Sequence, residues 1–348
     1  MVRSGRRLPM RAAAMLGASR AWIVATIAAG GLFWPVWAPD PLSGTFAPLP
    51  ERPMLNATFT LHDGWKIPVM GLGSYKVDAG EQAEATIRAA VDLGYRMFDT
   101  AADYDNERSV GKAIRESGIP RRDLFIATKL DASAHGYQRA HLAVRSSLRR
   151  LGVDYLDLYL LVSPAPGRLI ETWDALMEMR MMGLVRSIGV SNFDLPHLEA
   201  LETHGRSLPA VNQIELHPLN WKERRPLLEW CKRRGVLLQA YGSIFAGRTE
   251  WLAAAGTRAS AAAAAGRSPA QILLRWGYQM GFQLIPKSVR RERLLENAQI
   301  FDFELEDEEM HALSDMQGEL GVYQALPDGA VDLGVTSPSA DRRIGQEL

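Results

Sequence analysis

The chain has 348 residues, of which 47% are hydrophobic and 23% charged, a composition that predicts a folded core and excludes disorder throughout. Its 40 basic and 40 acidic residues cancel, so no nucleic-acid partner is expected. The single cysteine, Cys231, excludes a scaffold held by intrachain disulfides. Because the 7 histidines form no HExxH motif and a Cys-rich zinc site is ruled out, we expect no metal site.

The N-terminus differs from the rest of the chain in charge and hydropathy. Residues 1–39 carry five arginines and no acidic residue, and the eighteen residues from Ala21 to Ala38 are uncharged. A basic flank before an apolar run is typical of a signal peptide, a signal anchor or an organelle presequence. We therefore expect residues 1–38 to target the protein to an organelle or the secretory pathway, or to anchor it in a membrane through residues 21–38. The alternative is an upstream extension from a misplaced start codon, which leaves the protein cytoplasmic.

A proline-rich segment and a hairpin follow this N-terminus. Residues 39–55 contain five prolines, which cannot continue a helix and predict an extended linker. Asp63-Gly64 then lies between two short alternating segments, a pattern that predicts a β-hairpin. The folded domain is expected to begin near Asn56.

Short apolar runs alternate with amphipathic stretches along the rest of the chain, as in parallel strands buried on both faces. The predicted strands are Met70–Gly73, Arg96–Asp99, Leu124–Lys129, Leu156–Leu161, Val185–Val190, Val211–Glu215, Val236–Ala240 and Phe282–Pro286. The predicted helices include Glu81–Leu93, Tyr137–Leu151, Leu169–Gly183 and Lys222–Arg234. Ser268-Pro269-Ala270-Gln271 is a capping box that predicts a further helix start, and the alanine tract before it favours a helix.

Eight strand–helix units fit either a TIM barrel or a doubly wound sheet. Gly71-Leu72-Gly73 does not continue into a GxGxxG motif, no P-loop is present, and no tyrosine is followed four residues later by lysine. The sequence therefore predicts an α/β fold, a (β/α)8 TIM barrel over residues 56–318 with an N-terminal β-hairpin. The apolar targeting or anchor segment precedes it, and residues 319–348 form a C-terminal tail.

Three polar residues are expected at the carboxyl ends of neighbouring strands, where barrel proteins place their functional groups. Asp99 ends the second strand, Tyr104 lies in the following loop and Lys129 ends the third. A buried lysine beside a tyrosine lowers the tyrosine pKa, and an aspartate keeps the lysine charged. The tyrosine then becomes a general acid that can protonate a carbonyl oxygen. The alternative is a structural ion pair covered by a tyrosine.

Six ordered motifs between Leu55 and Asp315 resemble those of the aldo-keto reductase family. They are GYRMFDTAADYDNE (94–107), ATKL (127–130), LGVDYLDLYLL (151–161), LVRSIGVSNF (184–193), PAVNQIELHP (209–218) and LIPKSVRRERLLENAQIFDFEL (284–305). The resemblance implies a (β/α)8 barrel that uses NADPH without a Rossmann domain. It also implies that Asp99, Tyr104 and Lys129 hold the catalytic positions.

The resemblance further implies a set of cofactor-binding positions. They are Ser74, Asp99, Ser191, Asn192, Gln213, Tyr241, Ser243, Lys287, Ser288, Arg293, Glu296 and Asn297. In the family, the positions of Ser191, Asn192 and Gln213 hold the nicotinamide amide, and that of Tyr241 stacks on its ring. The positions of Lys287, Ser288 and Arg293 grip the adenosine 2′-phosphate, which suits cations near a helix start. Those of Glu296 and Asn297 hold the adenine.

Two positions depart from the family pattern. Tyr241 is followed by Gly242-Ser243, so the phosphate-contacting serine is displaced by one residue. Val162 stands where the family has a histidine that orients the substrate carbonyl, and loss of such a donor costs about 10²–10³ in rate. His135, in the loop after the third strand, is a candidate replacement, although a surface role is favoured for a loop residue.

The sequence thus favours NADPH-dependent reduction of aldehydes, ketones or quinones, with Tyr104 as general acid. The expected substrate pocket comprises Tyr75, Tyr104, Val162 and Ser163. The alternative is an NADPH-binding pseudoenzyme or redox-sensing regulatory protein, because valine can donate no hydrogen bond. Reduction of a conjugated carbon–carbon bond is a third possibility, because the position of Val162 is where the family changes reaction type. Its support is weak, since the family members that catalyse that reaction have an acid at this position and this chain has valine.

Overall fold

A closed barrel of eight parallel strands forms the body of the protein. The structure, a computed structural model, describes residues 45–164 and 168–316. A short antiparallel hairpin comes first, with strands β1 (Thr58–Thr60) and β2 (Lys66–Pro68). The barrel strands are β3 (Leu72–Gly73), β4 (Met97–Asp99), β5 (Phe125–Leu130), β6 (Leu156–Leu161), β7 (Val185–Ser191), β8 (Val211–Glu215), β9 (Leu237–Tyr241) and β10 (Gln283–Leu284).

Each barrel strand pairs in parallel with the next one along the chain, from β3 to β10. The ring closes where Met70 bridges Leu284, with Gly71 N donating to Leu284 O at 2.8 Å. At this seam a side chain on Gly73 would place its Cβ 2.9 Å from Ile285 O, which explains a glycine there. The prediction of a (β/α)8 barrel with an N-terminal hairpin is confirmed.

Helices cover the outside of the barrel. Their bounds are α1 (Glu81–Asp92), α2 (Glu107–Glu116), α3 (Tyr137–Leu151), α4 (Leu169–Met181), α5 (Leu195–Thr203), α6 (Arg225–Arg234), α7 (Thr249–Arg258), α8 (Ser260–Ala264), α9 (Pro269–Gln279), α10 (Arg291–Ala298) and α11 (Asp307–Ser314). The predicted capping box opens α9: Ser268 Oγ accepts from Gln271 N at 3.3 Å, and Gln271 Oε1 accepts from Ser268 N at 2.9 Å. The alanine tract is helical as expected, in α8.

The strand predictions differ from the structure mainly at the seam. Phe282–Pro286 shortens to Gln283–Leu284, and Met70–Gly73 shortens to Leu72–Gly73. Hydrogen bonds across the seam nevertheless continue beyond these short strands, from Leu284 N to Val69 O at 3.0 Å and from Gly73 N to Pro286 O at 3.2 Å. The other strand ends agree within one residue.

Part of the segment predicted as a linker packs against the barrel. Phe46 N donates to Met280 O at 2.7 Å, and the Phe46 ring stacks on Phe282 with 5.4 Å between centroids. Ala47 and Leu49 also contact the core. The apolar side chains among the prolines therefore hold residues 45–49 on the end of the barrel where the strands begin.

Several N- and C-terminal predictions lie outside the described residues. These are the targeting or anchor segment (1–38), the start of the linker and the tail (319–348). Within residues 45–164 and 168–316, no helix has both the length and the apolar character needed to cross a membrane.

Candidate active site

The predicted catalytic residues come together at the carboxyl ends of β4 and β5. Asp99 is the last residue of β4, and Lys129 is the fifth residue of β5. The two strands pair in parallel with Asp99 opposite Ala127, which places both side chains at the same end of the barrel. Tyr104 ends a 3₁₀ turn, Ala102–Tyr104, that follows β4 directly. Strand order and this short turn therefore bring the three groups together.

Asp99 and Lys129 form a buried ion pair. Lys129 Nζ lies 2.5 Å from Asp99 Oδ1 and donates a second hydrogen bond to Thr100 O at 3.0 Å. The side chains are 1% and 3% exposed, so water screens this attraction little. Burial lowers the pKa of Lys129, but the Asp99 carboxylate and the Tyr104 phenol oppose it and together raise that pKa above its ordinary value. Lys129 is consequently a cation at neutral pH.

Tyr104 lies against this cation. Lys129 Nζ is 4.9 Å from the centroid of the Tyr104 ring. Burial raises the pKa of Tyr104, and the nearby Lys129 cation opposes that rise only in part. The expectation that Lys129 lowers the Tyr104 pKa below its ordinary value is therefore wrong for the protein without cofactor, because desolvation outweighs the cation. The phenol stays protonated at neutral pH and can give a proton away.

The loop that carries Tyr104 is anchored by a buried asparagine. Asn106 Oδ1 accepts from Thr100 Oγ1 at 2.6 Å, and Asn106 Nδ2 donates to the carbonyls of Ser74 and Val77 at 2.9 and 3.0 Å. Asp105 has a left-handed backbone (φ 56°), which turns the chain back after Tyr104. Asn106 was not among the predicted site residues, although its place in the DYDNE motif was a readable signal.

A second polar group lies on β7, β8 and β9, the strands across the barrel from Lys129. Ser191 Oγ donates to Gln213 O at 3.0 Å, and Tyr241 Oη donates to Asn192 Oδ1 at 2.8 Å. Asn192 takes up a left-handed backbone (φ 59°), and its Nδ2 donates to Val162 O at 3.1 Å. The four residues that the resemblance assigns to the nicotinamide end are thus neighbours in space.

Gln213 joins this group to the ion pair. Its Nε2 donates to Asp99 Oδ2 at 2.9 Å and to Gln239 Oε1, so both amide hydrogens are used. Gln239 Nε2 in turn donates to Gln283 Oε1 at 2.7 Å. Gln239 and Gln283 were not among the predicted site residues. Gln239 precedes Tyr241 by two residues on one strand and therefore shares its face, which was a readable signal.

Two predicted serines differ in how their hydroxyl groups are satisfied. Ser74 Oγ donates to Asp99 O at 2.9 Å, so this side chain ties β3 to the strand that carries Asp99. Ser243 is 4% exposed, and its buried Oγ has no hydrogen-bond partner among the described residues. A buried hydroxyl without a partner is costly and is expected where a ligand completes the hydrogen bonding. Ser243 lies shortly after Tyr241 in the sequence. The resemblance to the aldo-keto reductase family implies that a cofactor phosphate binds at this part of the chain.

The predicted 2′-phosphate residues surround the start of α10. Lys287 and Arg293 are exposed, and neither has an ion-pair partner in the described part of the chain. Partial burial lowers the pKa of Lys287, and the nearby Lys76 acts in the same direction while Asp78 opposes it. Ser288 Oγ accepts from Arg290 N at 3.1 Å and so shapes the turn before the helix. Two cations without carboxylate partners beside a helix start suit an anionic group.

The predicted adenine residues lie one to two turns further along α10. Glu296 is half-buried, and Asn297 is 2% exposed. Glu296 O accepts a hydrogen bond from Gln271 Nε2 at 3.2 Å, which fixes this part of the helix against α9. The residues predicted to bind the 2′-phosphate and the adenine therefore lie on α10 and in the turn that precedes it.

On the substrate side, Tyr75 faces Tyr104. The two ring centroids are 5.0 Å apart, and Tyr75 is 42% exposed. Val162 and Ser163 follow β6 and are half-buried. Val162 N donates to Leu130 O at 3.3 Å, which holds the end of β6 beside that of β5. The part of the site expected to hold the substrate carbonyl is thus lined by aromatic and aliphatic side chains.

His135 does not have the surface role that the sequence analysis favoured. It is 2% exposed, and its Nε2 contacts Ser163 O at 3.1 Å. Because a carbonyl only accepts, Nε2 carries the hydrogen and the buried Nδ1 is left as an acceptor without a described partner. Burial lowers the pKa of His135 to about 4. No hydrogen bond or ring contact joins His135 to Tyr104 among the described residues.

The arrangement contains the parts of a carbonyl-reducing site. A protonated phenol lies beside a fixed cation, and an amide cluster lies across the barrel from it. Gln213 Oε1 has no donor among the described residues, and Ser243 Oγ lacks a partner, so both fit a bound dinucleotide. Residues 45–164 and 168–316 contain no group of three or more His, Cys, Asp or Glu side chains able to hold a metal ion.

Comparison with known proteins gives a consistent family. Residues 69–317 match the model of the Aldo/keto reductase family. A glyoxal reductase of Bacillus subtilis is 43% identical over 257 residues, which cover 74% of this chain and 91% of that protein. A 9,11-endoperoxide prostaglandin H2 reductase of Trypanosoma cruzi is 38% identical over 74% of this chain and 90% of its own. A Bombyx mori aldo-keto reductase solved in complex with NADP superposes with a TM-score of 0.68 and 33% identity, covering 79% of this chain and 96% of that chain.

Proposed function

The chain belongs to the aldo/keto reductase family and is an oxidoreductase, and on that basis we propose that it reduces aldehydes, ketones or quinones with NADPH, using Tyr104 as the general acid. The observation that carries the proposal is the buried Asp99–Lys129 pair with the Tyr104 ring 4.9 Å from the lysine nitrogen. A cation that the protein keeps next to a neutral phenol stabilises the phenolate that forms when the proton leaves.

NADPH held beside Gln213 and Tyr241 would supply a hydride to the carbonyl carbon. Tyr104 donates a proton to the carbonyl oxygen, and Lys129 stabilises the resulting phenolate. Asp99 keeps Lys129 charged and prevents it from turning away, because its Oδ1 holds the ammonium group and its Oδ2 is held by Gln213. Positioned acid catalysis of this kind contributes about 10²–10⁴ in rate.

The remaining predicted residues bind and orient the cofactor. Ser191, Asn192 and Gln213 present amide and hydroxyl groups toward the nicotinamide end, with Tyr241 beside them. Ser243 supplies a hydroxyl for a phosphate. Lys287, Ser288 and Arg293 meet the adenosine 2′-phosphate, with Glu296 and Asn297 around the adenine. Support comes from the unpaired cations and the unpartnered Ser243 hydroxyl described above, and from the NADP complex of the Bombyx mori relative.

The similarity to the Bacillus subtilis relative favours a small, reactive substrate. The Bacillus subtilis relative is a glyoxal reductase, and glyoxal is a dialdehyde that needs little polarisation. A site with Val162 in place of a polar group suits such a substrate, because valine gives no hydrogen bond to the carbonyl. We therefore expect reactive aldehydes and quinones to be reduced faster than simple ketones.

Val162 also supports a second candidate, a pseudoenzyme that binds NADPH as a redox sensor or regulatory protein. Its side chain cannot donate, and the described contacts do not bring His135 to Tyr104 as a substitute. The retained Asp99, Tyr104 and Lys129 favour the enzyme instead.

The test is NADPH oxidation by the full-length protein with a panel of aldehydes, ketones and quinones. We expect turnover that Val162→His raises, by at most about 10²–10³ and less where the pocket is adapted to valine. Tight NADPH binding without turnover, followed by clear rescue in Val162→His, would establish the pseudoenzyme. Equal dissociation constants for NADPH and NADH would contradict the assignment of Lys287 and Arg293.

We also propose that residues 1–38 direct the protein out of the cytosol, from the five arginines and the uncharged run of residues 21–38. A fluorescent protein fused to residues 1–50 is expected to localise to a membrane or an organelle. A diffuse cytosolic signal would favour the misplaced start codon.

A further inference from the structure

Three glutamines on adjacent strands form a row across the barrel interior. Gln213 on β8 lies opposite Gln239 on β9, which lies opposite Gln283 on β10. They are 3%, 0% and 0% exposed. Barrel interiors are usually filled by branched apolar side chains, and a buried amide is costly unless every polar atom is paired. A row of three amides at this depth therefore requires an explanation beyond filling space.

The row has a fixed direction. Gln283 Nε2 donates to the carbonyls of Pro68 and Leu284 at 2.9 and 3.1 Å. Since a carbonyl only accepts, the nitrogen of Gln283 must face them, and its Oε1 is left facing Gln239. Gln239 then donates to Gln283 and presents its own Oε1 to Gln213.

The other end of the row is equally constrained. Gln213 Nε2 gives one hydrogen to Gln239 and the other to Asp99 Oδ2 at 2.9 Å. The Asp99 carboxylate, held by Lys129, can only accept. Acceptors at both ends thus select a single orientation for the Gln213 amide, and a flipped amide would set oxygen against oxygen at Asp99 and at Gln239.

We propose that Gln239 and Gln283 are positioning residues that fix the Gln213 amide so that only its Oε1 faces the cofactor. Gln213 Oε1 would then accept a hydrogen bond from the carboxamide N–H group of a nicotinamide. A flipped Gln213 would instead place its own N–H group against that N–H group. The inference rests on the proposed function, since it requires a nicotinamide beside Gln213. It adds two residues on β9 and β10 that themselves contact no cofactor.

The test compares two ligands that share the adenosine end. Full-length wild type, Gln239→Leu and Gln283→Leu are titrated with NADPH and with 2′,5′-ADP, which lacks the nicotinamide. We expect Gln239→Leu to raise the NADPH dissociation constant about tenfold, the worth of one hydrogen bond, and to leave that of 2′,5′-ADP unchanged. Gln283→Leu acts one bond further away and is expected to give a smaller shift of the same kind.

A conservative variant and a matched control separate positioning from stability. In Gln239→Glu, burial keeps the new carboxyl group protonated, so one oxygen accepts from Gln213 and the O–H group donates to Gln283, and NADPH affinity is expected within about twofold of wild type. Gln279→Leu removes a glutamine on α9, outside the barrel, that makes two hydrogen bonds to Leu305. It is expected to lower thermal stability without changing the ratio of the two affinities.

The outcomes are distinct. If wild type does not bind NADPH, the proposed function fails. If wild type binds NADPH and Gln239→Leu keeps the wild-type ratio of affinities, or if Gln239→Glu loses as much as Gln239→Leu, the positioning role is wrong. Should Gln239→Leu not fold, Gln283→Met gives the same comparison, because it removes the acceptor for Gln239 but leaves Gln239 in place.

Discussion

Two buried aspartates at opposite ends of the barrel show how its two ends differ. Asp157, near the start of β6, is 2% exposed, and Asp99, at the end of β4, is 3% exposed. Asp157 Oδ1 pairs with Arg186 at 2.8 Å, and Oδ2 pairs with Arg121 at 2.6 Å and accepts from Ile126 N at 2.9 Å. Both guanidinium groups lie 4.0 Å from the Tyr155 ring.

The Asp99 carboxylate has two partners, Lys129 and Gln213, and both of them also face the site. Lys129 also faces Tyr104, and Gln213 retains an oxygen without a described donor. Around Asp157 the bonds to Ile126 and Arg186 tie β5, β6 and β7 together, and Arg186 also lies 4.6 Å from the Trp65 ring of the hairpin. The contrast teaches that burial and charge alone do not mark a site. At the carboxyl ends of the strands, the Ser243 hydroxyl, without a partner among the described residues, lies at the same end of the barrel as the Asp99–Lys129 pair and Tyr104, where barrel proteins place their functional groups.

Tyr104→Phe is expected to have the largest effect at the active end. Carbonyl reduction should fall by about 10²–10⁴, since the proton donor is removed and the ring is kept. NADPH affinity and the free energy of unfolding should change little. Steady-state kinetics, fluorescence titration and thermal unfolding measure the three quantities. Wild-type activity in this variant would refute the mechanism.

Asp157→Asn is expected to act on stability alone. It leaves two arginines without their carboxylate, and breaking a fully buried pair costs about 3–5 kcal/mol. Because these side chains are 23% and 28% exposed, we expect a smaller loss of about 2–3 kcal/mol in the free energy of unfolding. Asp99→Asn is the matched variant. Its main effect should be a lower kcat, with a smaller effect on the free energy of unfolding. Denaturant unfolding and kcat/KM of both variants test this. An equal loss of kcat/KM in the two would contradict the assignment of Asp157 to stability and of Asp99 to catalysis.

Removing the cations at the start of α10 should change cofactor choice. In Lys287→Ala combined with Arg293→Ala, the NADPH dissociation constant is expected to rise about 10–100-fold, because two charge-assisted contacts with a phosphate are lost at an exposed site. NADH, which lacks that phosphate, should bind as before. Arg291→Ala, on the same helix, is the control and should leave both dissociation constants unchanged.

His135 should give the stability of the protein a slope with pH. Its native pKa is about 4 and its ordinary value 6.5, so between these values the unfolded chain binds more protons than the native one. The free energy of unfolding therefore falls as the pH drops from 6.5 to about 4. His135→Gln should flatten part of this slope in urea unfolding at several pH values. An unchanged slope would show that His135 does not contribute.

The sequence was sufficient for the barrel and for the place of the catalytic residues. Each strand is a local apolar run, and residues directly after such runs, such as Asp99, must lie at one end of a parallel barrel. The capping box at Ser268 was equally readable because all of its hydrogen bonds join residues three apart. These features depend on neighbours along the chain, which a single sequence displays.

Burial and partners were decided by tertiary structure, because they depend on residues far apart in the chain. The hydrogen bond from Gln213 to Asp99 spans 114 residues, and that from Gln283 to Pro68 spans 215. No local pattern shows that His135 is buried under Ser163, 28 residues away, or that desolvation outweighs Lys129 in setting the Tyr104 pKa. The barrel brings these groups into a low-dielectric interior, where each polar atom must find a partner, and only the closed structure determines which partner it finds.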